Sequence, residues 1–202
     1  MKKNISLYIT LGLFILMFGA GSFLFRGFFS MQNFFNLLID NSYLLILAVG
    51  MTYVIISGGI DLSVGSVLAL STMLSSSLLE KSGWTPLVVI ATVILVGTTL
   101  GFLMGYIIHT FELPPFIITL AGLYLARGLC YVISIDTIAI TNPFWQEAAR
   151  SQFSVFGTGF ISPSVLVALF IVAAGILVSR YTRFGRTVYA IGGNEQSALL
   201  MG

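Results

Sequence analysis

Long apolar stretches dominate the chain, and four of them are close to the length of one membrane-spanning helix. They cover residues 7–25, 87–108, 116–134 and 163–179. A helix needs about 20 apolar residues to cross the hydrocarbon core of a bilayer, because each residue adds about 1.5 Å. The pattern therefore predicts an all-α membrane protein in which each of these stretches is a helix.

A fifth apolar stretch, residues 42–79, is too long for one span, and Asp61 is its only charged residue. As a single helix it would measure about 57 Å, far more than a bilayer core. Gly58, Gly59 and Asp61 predict a break that leaves two short helices, 42–57 and 62–79, either as full spans or as a re-entrant pair. The expected fold is a polytopic transmembrane helical bundle of about six membrane-embedded helices with one broken or re-entrant pair.

The composition excludes several other classes of protein. The 202 residues are 57% hydrophobic and 8% charged, and the mean hydropathy is +1.04. Soluble domains carry about 25% charged residues, so a soluble enzyme is excluded. Disorder requires low hydrophobicity and high net charge, and a net charge of +2 is too small to attract nucleic acid. The single cysteine, Cys130, and the single histidine, His109, make neither an internal disulfide nor a zinc site.

Basic residues in the short loops indicate how the chain crosses the membrane. One side would carry Lys2, Lys3, Arg180, Arg183 and Arg186, and the other Arg26, Lys81 and Arg150. Because the side richer in Lys and Arg is normally cytoplasmic, both ends are predicted to face the cytosol. The loop 135–161 would then lie outside. The apolar stretch 7–25 is longer than the core of a cleaved signal peptide, which favours an uncleaved first span.

The broken segment contains the first candidates for functional residues: Gly58, Gly59, Asp61 and Ser63. The glycines permit non-helical backbone, and the Asp61 carboxylate is suited to accept N–H groups at the start of the next helix. Non-helical backbone at membrane depth is tolerated where it is buried in protein or lines a wet cavity, and transporters use broken helices beside a solute. A plain interhelical turn at the cytoplasmic surface is the alternative.

Arg127 is the other candidate for the translocation path, because it lies near the middle of the span 116–134. A central arginine costs roughly 2.5–3.5 kcal/mol on insertion scales, so it is expected to face the bundle interior or to find a partner. One hypothesis is an ion pair with Asp61 beside the path. A purely structural ion pair, or an arginine that reaches an interface, is the alternative.

Gly97, Gly101 and Gly105 recur at every fourth residue of the stretch 87–108. This spacing places them on one helix face and predicts close packing of a neighbouring helix.

The last residues of the chain change from apolar to basic and amphipathic. After the arginines of 180–186, Gly192 and Gly193 predict a break, Asn194 is a candidate N-cap, and Glu195 is suited to the positive end of a short helix. Such a helix either rests on the membrane or docks on a protein, and the residues alone leave both possibilities open.

Three motifs resemble the permease subunits of sugar ABC importers of the ribose, xylose and galactofuranose group. They are SGGIDLSVGSVLAL (57–70), LPPFIITLAGLYLARG (113–128) and FGRTVYAIGGNEQSALLMG (184–202). The resemblance implies a non-enzymatic subunit that passes a monosaccharide, galactofuranose first and a ribose- or xylose-type sugar second, across the bacterial inner membrane. It also implies a periplasmic sugar-binding protein and a second permease, either an identical copy or a relative. ATP would be bound by a separate ATP-binding cassette subunit, because this chain has no G-x-x-x-x-G-K-[ST] motif, and no cofactor is expected in the chain itself.

The resemblance also divides the chain into a transmembrane permease domain, 1–179, and a cytoplasmic coupling segment, 180–202. The coupling residues would be Gly192, Gly193, Asn194, Glu195, Gln196, Ser197, Ala198 and Gly202. Gln196, Ser197 and Ala198 occupy the Glu-Ala-Ala positions of the family pattern, and Gln196 departs from its acidic residue, for which Glu195 is a substitute. Members of the family continue with further spans, so we expect an incomplete permease. The alternatives are an ATP-independent secondary carrier or channel, and an inactive truncated product.

Overall fold

The computed structural model describes residues 5–155 and 159–201, and these form ten helices and one short hairpin. The helices are α1 (Ile5–Leu24), α2 (Met31–Asp40), α3 (Ser42–Ile56), α4 (Val64–Glu80), α5 (Pro86–Phe111), α6 (Pro115–Ile133), α7 (Pro143–Arg150), α8 (Pro163–Tyr181), α9 (Arg183–Gly193) and α10 (Glu195–Met201). The antiparallel strands β1 (Phe153–Val155) and β2 (Gly159–Ile161) lie between α7 and α8.

Four of the helices begin at a proline: α5, α6, α7 and α8. Proline is well tolerated at the first helical position, because its missing N–H would have no partner there and its φ is already helical. The predicted helices at 87–108, 116–134 and 163–179 are confirmed by α5, α6 and α8, and each of the three starts at a proline.

The predicted number of six membrane-embedded helices is not confirmed when length and composition are the criterion. Among the described residues, α5, α6 and α8 are long and apolar enough to cross a membrane. The pair α2 and α3, which is bent by 55°, would be a fourth span if it counted as one. The described apolar part of α1, Tyr8–Leu24, and α4 are shorter. The all-α polytopic fold is thus confirmed, and the count of six is not.

The predicted break in the stretch 42–79 is present. Helix α3 ends at Ile56 and α4 begins at Val64, so residues 57–63 are not helical. Gly58 has a φ of +84°, in the left-handed region that glycine enters without steric cost. A second bend, of 55° between α2 and α3, is not among the breaks that the sequence predicts.

The helices pack in two groups. In the first, α4, α5 and α6 contact one another and enclose the buried cluster of Leu70, Ala126 and Cys130. In the second, α3 packs on α8, α9 packs on both, and α2 with the hairpin joins them. The Tyr53 hydroxyl of α3 donates a hydrogen bond of 2.6 Å to the Gly175 carbonyl of α8. The break at 57–63 connects the two groups along the chain.

The segment between α6 and α8 also connects the two groups, and one side chain at each end holds it. The Glu80 carboxylate accepts hydrogen bonds from the Thr141 amide and hydroxyl, at 2.7 and 2.5 Å, and from the Asn142 amide at 3.0 Å. The Gln32 side chain of α2 exchanges two hydrogen bonds with the Phe160 backbone. The hydrogen bond from the Thr141 side chain is the main reason that the pKa of Glu80 is below its ordinary value of 4.5.

Candidate functional site

The broken segment is organised by Asp61. Its Oδ1 atom accepts a hydrogen bond of 2.8 Å from the Ser63 amide and one of 2.6 Å from the Ser63 hydroxyl. Ser63 is 1% exposed and directly precedes the first residue of α4. The carboxylate thus closes a local Asx turn directly before α4, and Ser63, not Asp61, is the N-cap residue of that helix.

Helix α6 covers the broken segment from one side. The buried Thr119 hydroxyl lies 3.2 Å from the Ile60 carbonyl oxygen and 2.8 Å from the Pro115 carbonyl oxygen of its own helix. Gly122 faces Ser63, and a Cβ added there would lie 3.5 Å from the Ser63 Cβ and would collide with the Met104 sulfur. The non-helical backbone is therefore buried against protein on this side.

On its other side the broken segment borders an open cleft of about 230 Å³ between α3, α4 and α5. Its polar lining comes from Asp61, Ser63 and Ser71. Gly97 and Gly101 line the α5 wall, and a Cβ added at either would meet no atom within 4 Å. The prediction that these glycines pack closely against a neighbouring helix is wrong for the described residues, because they face the cleft.

Arg127 does not join Asp61. The arginine is exposed on α6, whereas the neighbouring Ala126 is 1% exposed in the buried cluster. Successive residues on a helix point about 100° apart, so the face that buries Ala126 and Cys130 turns Arg127 away from the core. The Asp61 carboxylate is engaged by Ser63 instead, and the proposed Asp61–Arg127 ion pair is not formed within the described part of the chain.

The C-terminal coupling candidates lie on α9 and α10. Helix α9 continues through Gly192 and Gly193, so the predicted break falls one residue later, at Asn194, whose backbone is extended. The Asn194 side chain accepts a hydrogen bond of 2.8 Å from the Ser197 amide, which makes it the N-cap of α10, as predicted. Of the remaining candidates, Glu195, Gln196 and Ser197 are exposed, and Ala198 is half-buried. Gly202 lies outside the described residues.

Helix α9 lies against the end of α3 that precedes the break. A Cβ added at Gly192 would collide with the Ile56 carbonyl oxygen, whereas one added at Gly193 would meet nothing within 4 Å. At the other end of α9, the ring of Phe184 packs edge-on against the ring of Tyr53, with centroids 5.5 Å apart. Sequence reasoning missed these contacts, since nothing near Gly192 in the chain indicates that α3 is its neighbour.

Comparison with known proteins agrees with the resemblance carried by the three motifs. Residues 33–202 match the family described as "Branched-chain amino acid transport system / permease component". The chain is 42% identical, over its whole length, to 61% of the inner membrane ABC transporter permease protein YjfF of Escherichia coli K12. It is 37% identical, over 94% of its length, to 57% of the fructose import permease protein FruG of Bifidobacterium longum. No solved structure gives a significant match to the chain.

The chain therefore belongs to this family of ABC transporter permease components, and its apolar helices are those of a multi-pass membrane protein. A further relative, the ribose import permease protein RbsC of Haemophilus influenzae, is 39% identical over 87% of the chain and 54% of that protein. The chain spans little more than half the length of these three curated relatives, from 54% to 61%.

Proposed function

We propose that the chain forms part of the monosaccharide path of a binding-protein-dependent ABC importer in a bacterial inner membrane. It acts without chemical change to the sugar. ATP is hydrolysed by a separate ATP-binding cassette subunit, a second permease completes the path, and a periplasmic protein delivers the sugar. Galactofuranose is the proposed substrate, with a ribose- or xylose-type sugar as the alternative; this choice rests on the motif resemblance.

The observation that carries the proposal is the position of α9 relative to the break. An amphipathic cytoplasmic segment that follows a span is useful to an importer only if its movement reaches the solute path. Helix α9 contacts α3 at Ile56, and the non-helical segment that begins one residue later borders the cleft of Asp61 and Ser63. The coupling segment and the polar cleft are far apart in the sequence, but the contact between α9 and Ile56 brings them close together.

The exposed apolar side chains of α10 support docking on a protein. Leu199 and Leu200 are 74% and 89% exposed, and the Asn194 cap holds the start of their helix. We propose that this face of α10 binds the ATP-binding subunit and that both ends of the chain lie in the cytosol. On the opposite side, the segment held by Glu80 and Gln32 is the proposed contact for the periplasmic binding protein.

Co-purification tests the proposal. The chain, tagged at its N-terminus, is expressed in its source bacterium and extracted in mild detergent, and the proteins retained with it are identified by mass spectrometry. We expect a P-loop ATPase in stoichiometric amount with the parent chain. The double variant Leu199→Ser and Leu200→Ser should lose it, because the apolar face of α10 is removed.

The matched control is Phe111→Ser, which removes an apolar side chain that is 64% exposed at the end of α5, on the same proposed side of the membrane. It should retain the ATPase. A parent chain that retains no ATPase would contradict the importer and favour a secondary carrier or channel. Equal retention by all variants would place docking elsewhere than on α10.

A further inference from the structure

We propose that Gly192 is a positioning residue through which movement of the coupling segment reaches the broken segment, by direct contact with the backbone at the end of α3. This inference rests on the proposed importer function and goes beyond it, since it names the residue and the backbone atoms that transmit the movement.

The contact depends on the absence of a side chain at position 192. A Cβ there would collide with the Ile56 carbonyl oxygen and would lie 2.9 Å from the Ile56 carbonyl carbon and 3.5 Å from the Ser57 Cα. These are backbone atoms, which cannot rotate away as a flexible side chain can. Glycine in a helix costs about 1 kcal/mol relative to alanine, so Gly192 weakens α9 locally while it permits this close approach.

Other contacts make α9 move together with α3 and α8. Phe184 packs on Tyr53 of α3, and the Tyr53 hydroxyl binds the Gly175 carbonyl of α8 at 2.6 Å. Gly185 lies so close to the Ser179 carbonyl that an added Cβ would collide with it. A force on α9 therefore acts on the end of α3 and is not dissipated in a loose linker.

The broken segment is attached on its far side to the other helix group. Thr119 of α6 contacts the Ile60 carbonyl, and Ser63 is packed beneath Gly122. Between these anchors and Ile56 lies Gly58, with a φ of +84° and no atom within 4 Å of an added Cβ. Hinges are a few residues at the ends of elements that absorb backbone rotation. Displacement of the end of α3 would accordingly be absorbed at Gly58 and would reposition the residues that border the cleft.

A thiol reporter in the broken segment measures this transmission. Ile60 has a side chain that is 52% exposed, and Cys130 is the only native cysteine. In the Cys130→Ala background, Ile60→Cys is labelled with N-ethylmaleimide in the complex with its ATP-binding subunit, before and after trapping with ATP and vanadate. We expect trapping to change the labelling rate at least threefold.

Gly192→Ala should abolish this change in the complexes that retain the ATPase, and the amount of bound ATPase is determined in the same preparation. Gly50→Ala is the matched control, because Gly50 lies in α3 and an added Cβ there meets nothing within 4 Å; it should respond as the parent does. A parental response in Gly192→Ala would overturn the inference.

The parent chain gives a second test, which holds even if Gly192→Ala fails to fold. If the ATPase is bound and trapping leaves the labelling of Ile60→Cys unchanged in the parent, the inference is wrong although the importer function stands. If no ATPase is bound by the parent, the proposed function itself fails.

Discussion

The hydrogen bond between Ser63 and Asp61 allows a quantitative prediction about the broken segment. The donor is 1% exposed, the two oxygens are 2.6 Å apart, and the acceptor is a carboxylate. Hydrogen bonds to charged groups contribute about 1.5–3 kcal/mol. Because Asp61 is only half-buried and keeps the bond from the Ser63 amide, we take the lower end. Ser63→Ala should lower the free energy of unfolding by about 1.5 kcal/mol.

The assay is thermal unfolding in detergent, followed with a fluorogenic maleimide that reacts with Cys130. This thiol is 8% exposed in the folded chain and reacts when its helix group opens. In a chain of this size 1 kcal/mol corresponds to about 2–4 °C, so Ser63→Ala should lower the Tm by about 3–6 °C. Ser75→Ala is the control, because among the described residues its hydroxyl bonds only to the Ser71 carbonyl one turn earlier; it should change the Tm by about 1 °C or less.

Two results would refute this reasoning. One is a Tm for Ser63→Ala equal to that of Ser75→Ala. The other is strict additivity of Ser63→Ala and Asp61→Ala in the double variant, because residues that interact show a coupling energy and independent residues do not. Either result would mean that the Asp61–Ser63 bond does not hold the segment.

Three further predictions concern other parts of the fold. Hydrogen bonds, above all the one from the Thr141 side chain, lower the pKa of Glu80 below 4.5. The Glu80 carboxylate therefore stabilises the fold fully above pH 4.5 and loses this effect as the pH falls through the lowered pKa. The Tm of the parent should fall more steeply in acid than that of Glu80→Gln, and equal slopes would contradict this. Asn194→Ala removes the cap of α10 at a cost of about 1 kcal/mol, so amide exchange in 195–201 should accelerate about fivefold by mass spectrometry; unchanged exchange would show that the cap is dispensable. Gly122→Ala should lower the Tm by about 2–4 °C, because the new Cβ displaces the flexible Met104 side chain at a cost of about 1 kcal/mol; a Tm at or above that of the parent would show that α6 has room there.

Local patterns in the sequence predicted most of the secondary structure around the site. The helices α5, α6 and α8 follow from uninterrupted apolar stretches. The break before Val64 follows from adjacent glycines, and the Asn194 cap from its position before a short amphipathic segment. Each of these features depends on residues that are close in the chain, about 20 residues for a span and about one helical turn for a break or a cap.

The helix α2 and the span count show where local patterns were insufficient. Residues 31–40 mix polar and apolar side chains over ten positions, too few to suggest a membrane element. Whether α2 and α3 count as one membrane span depends on the 55° angle between them, and the periodicity of the sequence does not indicate that angle. Likewise, charge alone suggested Asp61 and Arg127 as partners, but the face of α6 that packs into the core turns Arg127 outward.

The membrane class, the helix break and the family membership all follow from the sequence, because they depend on composition and on patterns of residues that are close in the chain. Packing alone decides that Gly192 meets Ile56, that Thr119 meets Ile60, and that Glu80 holds Thr141 from 61 positions away. Such pairs form because whole helix faces must fit one another, and the fit depends on every side chain between them. The contact between α9 and the end of α3 is therefore a property of the tertiary structure.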